Sequence, residues 1–95
     1  MAKPETNKRQ RHHLDRRADR IADQGESKGN ANDLLTAAEV AEMLEITEQW
    51  VNQCRIKNHG PRFIETPSKA TVIRYRRGDV IKWLRERARA AKEYA

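Results

Sequence analysis

Residues 48–57 carry side chains that are well suited to chemistry on another molecule. The spacing of Val51 and Cys54, three residues apart, predicts a helix whose inner face they form. Four polar residues then point outward: Gln49, Asn52, Gln53 and Arg55. Amide side chains can form two hydrogen bonds with adenine, and arginine can bind guanine or phosphate. The set suggests base reading in a nucleic-acid groove, although such residues also occur on ordinary exposed helices.

The sequence contains few residues that could bind a metal ion or catalyse a reaction. Cys54 and His59 have no second pair at zinc-finger spacing, and His12 and His13 extend a basic segment. The sequence contains no Gly-rich phosphate loop, GxSxG or HExxH motif. Tyr75 lies among arginines, as a strand-transfer nucleophile would, but a recombinase needs a much larger catalytic domain, so we predict that Tyr75 is a core residue. We expect no enzymatic activity, metal, cofactor or small-molecule substrate.

Length and charge restrict the class of protein. Ninety-five residues make one small domain, and a net charge of +6 favours a polyanionic partner, with nucleic acid ahead of an acidic membrane surface. A single cysteine allows no internal disulfide, which suggests a reducing cytoplasm and, for a DNA-binding protein, the nucleoid. No apolar run approaches the ~20 residues that span a bilayer, and we expect neither a signal peptide nor a membrane partner.

The first 33 residues are expected to form a flexible basic tail and linker. Leu14 and Ile21 are their only large aliphatic residues beyond the initiator methionine, and residues 25–32 have the composition of a linker. Leu14, Ala18 and Ile21 follow helical spacing, so a helix could form where a surface is offered. The alternatives to a disordered tail are a basic arm along nucleic acid and a partner-binding helix. We expect residues 34 to about 89 to fold without this segment.

Residues 34–95 show a regular order of helix, turn, helix, hairpin and helix. Thr36 and Glu39 form a capping box that starts a first helix ending near residue 45, and Thr47 can cap a second helix over 48–57. Gly60 suits the left-handed position after that helix. Strands are predicted at 62–65 and 71–76, joined by a loop at 66–70, and Asp79 is expected to cap a last helix over 80–94. The predicted class is mainly α with a small β-hairpin, a winged helix-turn-helix.

Charge is distributed unevenly within this part of the chain. Residues 34–54 contain four glutamates and no lysine or arginine, whereas residues 55–92 contain twelve basic and three acidic residues. An acidic first helix would be repelled by phosphate, and a basic second helix and hairpin would be attracted to it. The candidate backbone contacts are Lys57, Lys69, Arg74 and Arg76. Arg85, Arg87, Arg89 and Lys92 are interpreted as the solvated face of the last helix.

The segment LLTAAEVAEMLEITEQWVNQCRIKNHGPRFI, followed by VIRYRRGDVIKWL, resembles the excisionase and AlpA-like helix-turn-helix regulators, which have a MerR-like winged-helix fold. The resemblance covers residues 34 to about 87. It implies a second helix in the major groove, with Gln49, Asn52, Gln53 and Arg55, and a wing on the backbone or minor groove, with Lys69, Arg74 and Arg76. Where the family often has proline and tryptophan, this chain has Glu48 and Cys54. Trp50 either replaces that tryptophan in the core or faces outward toward DNA.

Two classes of function follow. The first is a sequence-specific protein that binds double-stranded DNA, either an excisionase that assists an integrase or a small transcriptional regulator of a phage or mobile element. Such a protein would bind cooperatively with itself or with a partner. The second class is a protein-interaction or DNA-packaging adaptor built on a winged helix. The dense positive charge on the second helix and hairpin favours the first class.

Overall fold

A computed structural model gives the backbone of residues 3–66 and 72–94 and the side chains within residues 14–66 and 72–90. These residues form four helices and a small three-stranded antiparallel sheet, which confirms the predicted mainly α class with a minor β part. The elements in chain order are α1 (Lys3–Lys28), β1 (Leu34–Leu35), α2 (Ala37–Leu44), α3 (Glu48–Ile56), β2 (Ile64–Thr66), β3 (Val72–Arg76) and α4 (Arg77–Tyr94). None of the described helices combines the length and apolar character needed to cross a membrane.

The start of α2 is fixed by the predicted capping box. The Thr36 hydroxyl accepts a hydrogen bond from the Glu39 backbone N–H at 3.1 Å, and the Glu39 carboxylate accepts one from the Thr36 N–H at 2.9 Å. The helix ends at Glu45, whose φ of 59° is left-handed. Thr47 then caps α3 by accepting from the Trp50 N–H at 3.1 Å. The two helices are therefore joined by a turn of only three residues, as predicted.

The exit from α3 differs from the prediction. Asn58, with φ of 63°, occupies the left-handed position expected for Gly60, because asparagine tolerates this conformation better than most residues. The His59 N–H donates to the Cys54 carbonyl at 2.8 Å. Gly60 serves close packing instead, since a Cβ at that position would lie 3.1 Å from the Cys54 Cβ. The chain leaving α3 is thus packed against the helix it has just left.

The hairpin strands are present, and a third strand joins them. Within the sheet, β3 is central and pairs antiparallel with both neighbours, Ile64 opposite Arg74 on one side and Leu35 opposite Tyr75 on the other. The short strand β1 was not predicted. Thr66, assigned to the loop, belongs to β2, and the other four residues of the expected loop lie outside the described residues. Tyr75 is fully buried, as predicted for a core residue.

The last helix begins earlier than Asp79. Its first turn starts at Arg77, whose N–H donates to the Asp33 carbonyl at 2.8 Å, and the Gly78 N–H donates to the Ala31 carbonyl at 2.9 Å. These carbonyls satisfy N–H groups that a capping side chain would otherwise serve. Asp79 is therefore not the cap but an acidic residue within the first turn, where it still complements the helix dipole.

The N-terminal segment is a helix, and the expectation of a flexible tail over residues 1–33 is wrong for most of its length. Leu14, Ala18 and Ile21 are at most 1% exposed. The surface that stabilises this stripe is α4, where Leu84 and Ala88 are buried in the same core. The same packing covers Ala88 in the second half of α4.

The predicted linker also begins too early, because α1 continues to Lys28. Gly25 is a buried position inside the helix. A Cβ there would lie 3.5 Å from the Ile81 side chain and would collide with the Met43 methyl group. The glycine thus allows α1 to approach α4 and α2 closely. A sequence that reads as a flexible linker is used here for tight packing between helices.

Candidate nucleic-acid interface

The inner face of α3 is firmly seated in the core. Trp50 is 8% exposed and Val51 is 2% exposed, whereas Cys54 packs partly buried against them. Of the two alternatives for Trp50, the core position is the one observed. Burial raises the pKa of the Cys54 thiol, so this group stays protonated near neutral pH. The described His, Cys, Asp and Glu side chains form no group of three or more that could hold a metal ion.

The predicted polar set occupies the outer side of α3. Gln49 is exposed, and Asn52, Gln53 and Arg55 are half-buried. The Arg55 Nη1 donates to the Asn52 Oδ1 at 2.8 Å, which orients the amide. An amide oxygen has two lone pairs, so Asn52 can still accept a second hydrogen bond while its NH2 group donates. This arrangement keeps the two-bond pairing with adenine available.

Sequence reasoning missed Ile56 as a member of this face. Its side chain is 75% exposed although isoleucine is one of the most commonly buried residues. The signal was present in the spacing, because Ile56 follows Gln49, Asn52 and Gln53 by seven, four and three residues. Ile56 is therefore an apolar residue on the otherwise polar outer face of α3. The prediction instead assigned only polar residues to the outer side of the helix.

The cations of the hairpin are only partly described. Arg76 on β3 is exposed, and Arg74 is half-buried with its Nη1 donating to the Ile73 carbonyl at 2.8 Å. Arg74 also lies close enough to α2 to contribute to the low pKa of Glu39, which is due mainly to the hydrogen bonds from Thr36. Lys57, after α3, is exposed. Lys69 lies outside the described residues, so both the wing and the place of Lys69 in it stay predictions.

Several arginines of α4 are neutralised within the fold. Arg85 pairs with Asp23 at 3.1 Å and with Glu26, and Arg87 pairs with Asp15 at 2.7 Å. The interpretation as a solvated face is wrong for Arg87, whose side chain is only 21% exposed, whereas Arg85 stays partly solvated while α1 supplies its acidic partners. Arg89 is exposed, as predicted, and the Lys92 side chain lies outside the described ones.

A further ion pair joins Arg77 to Asp33 at 3.4 Å, next to the start of α4. Among the basic residues described in the range 55–92, Arg77, Arg85 and Arg87 thus have carboxylate partners inside the protein. The acidic side chains Glu39 and Glu42 on α2, and Glu45 directly after it, are exposed. Positive charge that remains exposed on the described part of the α3 and hairpin region includes Lys57, Arg62 and Arg76.

A cluster of Arg87, Trp50 and Trp83 packs between α3 and α4. The Arg87 guanidinium lies 5.0 Å from the centre of the Trp83 ring and 6.0 Å from that of Trp50. The Trp83 Nε1–H donates to the His59 carbonyl at 3.1 Å, which ties α4 to the exit of α3. The orientation of α3 therefore depends on α4 and, through Arg87 and Asp15, on α1.

Searches for similarity gave no match to the chain among family models, curated proteins or solved structures.

Proposed function

We propose that this protein binds double-stranded DNA in a sequence-specific manner, with α3 in the major groove and the hairpin on the adjacent backbone or minor groove. The observation that carries the proposal is the outer face of α3, where the amide side chains and Arg55 lie on the side opposite the buried residues. Lys57 follows at the end of the helix. Helices that enter the major groove present such side chains to base edges.

The charge distribution supports the same orientation. Ion pairs with α1 remove Arg85 and Arg87 from the available positive charge, while Lys57 and Arg76 stay exposed. The exposed glutamates of α2 would be repelled by phosphate. The electrostatic field thus favours contact through α3 and the hairpin and disfavours contact through α2.

The biological role belongs to the same proposal. The resemblance of residues 34–87 to excisionases and AlpA-like regulators, with their winged helix, favours an excision factor that assists an integrase or a small regulator of a mobile element. It would then act at the nucleoid. The alternative, a protein-interaction or packaging adaptor, would use the same fold without depending on phosphate contacts.

Salt dependence of binding separates these two functions. Contacts by Arg55, Lys57, Lys69, Arg74 and Arg76 would release about five counterions, so log affinity plotted against log salt should have a slope of about −4 to −5. The measurement is fluorescence anisotropy of the full chain with a labelled random-sequence duplex at several salt concentrations. The absence of binding, or a flat salt response, would contradict DNA binding and favour the adaptor.

Two exposed arginines provide matched variants for this measurement. Arg76→Ala on β3 should weaken binding and reduce the salt slope by about one, because one phosphate contact is lost. Arg89→Ala removes the same charge from an exposed position on α4, which is not part of the proposed contact, and it should leave the slope unchanged. Equal effects of the two substitutions would mean that DNA binding follows net charge and not this surface.

A further inference from the structure

The exposed apolar side chain at the end of α3 requires an explanation. Ile56 is 75% exposed, and the other large exposed apolar residue among the described side chains is Leu34, at 54%. Full burial of an isoleucine side chain is worth about 1.5–3 kcal/mol, so the fold gives up a stabilising contact at this position. A partner that covers Ile56 would recover it.

The position of Ile56 identifies that partner. It lies one turn after Asn52 and Gln53 on the same face of α3, and Trp50 and Val51 hold the opposite face in the core. A molecule that bonds to the two amides must therefore also contact Ile56. If the proposed function is correct, that molecule is DNA.

DNA offers few apolar groups in the major groove. Base edges there consist of hydrogen-bond donors and acceptors, together with the C5-methyl group of thymine. An isoleucine side chain can neither donate nor accept a hydrogen bond. The thymine methyl group is thus its complementary partner in the groove.

We propose that Ile56 is a specificity-determining residue that packs on the C5-methyl group of a thymine, an inference that rests on the proposed DNA binding. One helical turn advances about 5.4 Å and one base step about 3.4 Å. With α3 lying along the groove, the thymine is about one to two base pairs from the pair read by Asn52 or Gln53. The protein therefore prefers a T·A pair at that position, independent of any hydrogen bond to it.

The test replaces single methyl groups in the DNA. The full chain first selects duplexes from a random-sequence pool, and each thymine of the selected duplex is then replaced in turn by deoxyuridine, which lacks only the methyl group. At one position the affinity should fall about fourfold, the effect expected for one methyl group removed from an apolar contact. Ile56→Ala should bind the thymine duplex at least about fourfold more weakly than the wild type does. This variant should bind the uracil duplex as well as it binds the thymine duplex.

Two control variants isolate the contact. Ile56→Val keeps a branched apolar side chain and should retain a preference for thymine. Leu34→Ala changes the other large exposed apolar residue, which lies on β1 and not on α3, and should retain the full preference. Thermal unfolding of each variant verifies that the fold is intact. If no duplex is selected, the proposed function and this inference fail together. If a duplex is selected but every uracil replacement is tolerated, or if Ile56→Ala keeps the thymine preference, this inference alone fails.

Discussion

Asp15 on α1 and Arg87 on α4 form an ion pair in which Nη2 and Oδ1 are 2.7 Å apart, and Nε of the same guanidinium donates to that oxygen at 2.9 Å. The pair holds Arg87 near the Trp50 and Trp83 rings. One acidic residue of the N-terminal helix thus helps to position a cation beneath the proposed reading helix. Arg87 therefore supports the proposed reading helix and is not among the proposed DNA contacts.

Removal of the ion pair between Asp15 and Arg87 should lower the free energy of unfolding by a measurable amount. Asp15→Asn should reduce the free energy of unfolding by about 1 kcal/mol, since both side chains are partly exposed and solvent weakens their attraction. A double-mutant cycle with Arg87→Gln, followed by urea unfolding, should give a coupling energy of about 0.5–1 kcal/mol. The same cycle with Arg89→Gln serves as the control and should give no coupling. Coupling of equal size in both cycles would contradict a specific contact.

The N-terminal helix should be an integral part of the folded domain. Leu14 is fully buried, so Leu14→Ala should lower the free energy of unfolding by about 2–5 kcal/mol and the thermal midpoint by roughly 10 °C or more. Arg16→Ala, at an exposed position of the same helix, should change stability by less than about 0.5 kcal/mol. Thermal unfolding followed by circular dichroism measures both. An unchanged midpoint for Leu14→Ala would restore the interpretation of this segment as a tail.

This helix also explains why the sequence predicted some features and missed others. The capping box of Thr36 and Glu39 is local, because both partners lie within four residues and their geometry follows from residue type. The stripe of Leu14, Ala18 and Ile21 is too sparse to form a helix by itself and becomes ordered only against α4, about sixty residues later in the sequence. The local sequence pattern does not show such contacts between distant segments, so the order of this helix could not be predicted from it.

In the candidate site, too, features that depend on local sequence were predicted and features that depend on tertiary contacts were missed. The outer position of Gln49 follows from helical spacing and was predicted, and so was the inner position of Val51. The pairing of Arg85 and Arg87 with α1 was missed, because charge counting along the chain cannot detect carboxylates brought in by tertiary packing. Among the described residues, α4 consequently offers fewer unpaired cations than the sequence suggested.

Acid should weaken the capping box of α2. Hydrogen bonds from Thr36 lower the pKa of Glu39 below its usual 4.5, so its stabilising effect is complete above that value and is lost as the pH falls through the lower, folded-state pKa. Glu39→Gln keeps a hydrogen-bond acceptor but cannot ionise. Urea unfolding should therefore find the variant less stable than the wild type at pH 7 and the difference diminished at about pH 3. A difference that grows toward low pH would have the wrong sign.

Base reading and phosphate binding should respond to different substitutions. Gln53→Ala should reduce discrimination between the selected duplex and variants at one or two base pairs by about 1–3 kcal/mol. Arg74→Ala or Lys69→Ala should weaken binding to all sequences alike, because phosphate contacts carry no sequence information. Competition binding with selected and random duplexes measures both effects. Equal losses on the two duplexes for Gln53→Ala would exclude Gln53 from base reading.

Binding should occur at clustered sites and not as one monomer at a single address. A single small module buries only about 600–1,000 Å² of protein surface on DNA, and the proposed reading face of α3 consists of a few side chains, too few to specify one site in a genome. Repeated sites or a partner must supply the remaining specificity, and cooperative neighbours achieve this without new base contacts.

Footprinting and gel-bending assays on the DNA upstream of the protein's own gene would distinguish the forms that such clustering can take. Direct repeats that bend as successive copies bind would favour an excision factor, since a curved assembly is what positions an integrase and bending has an energy that depends on sequence. Inverted repeats spaced by about one helical turn would favour a dimeric regulator. Protection of one unbent half-site by a single monomer, with no cooperativity as protein concentration rises, would contradict the prediction.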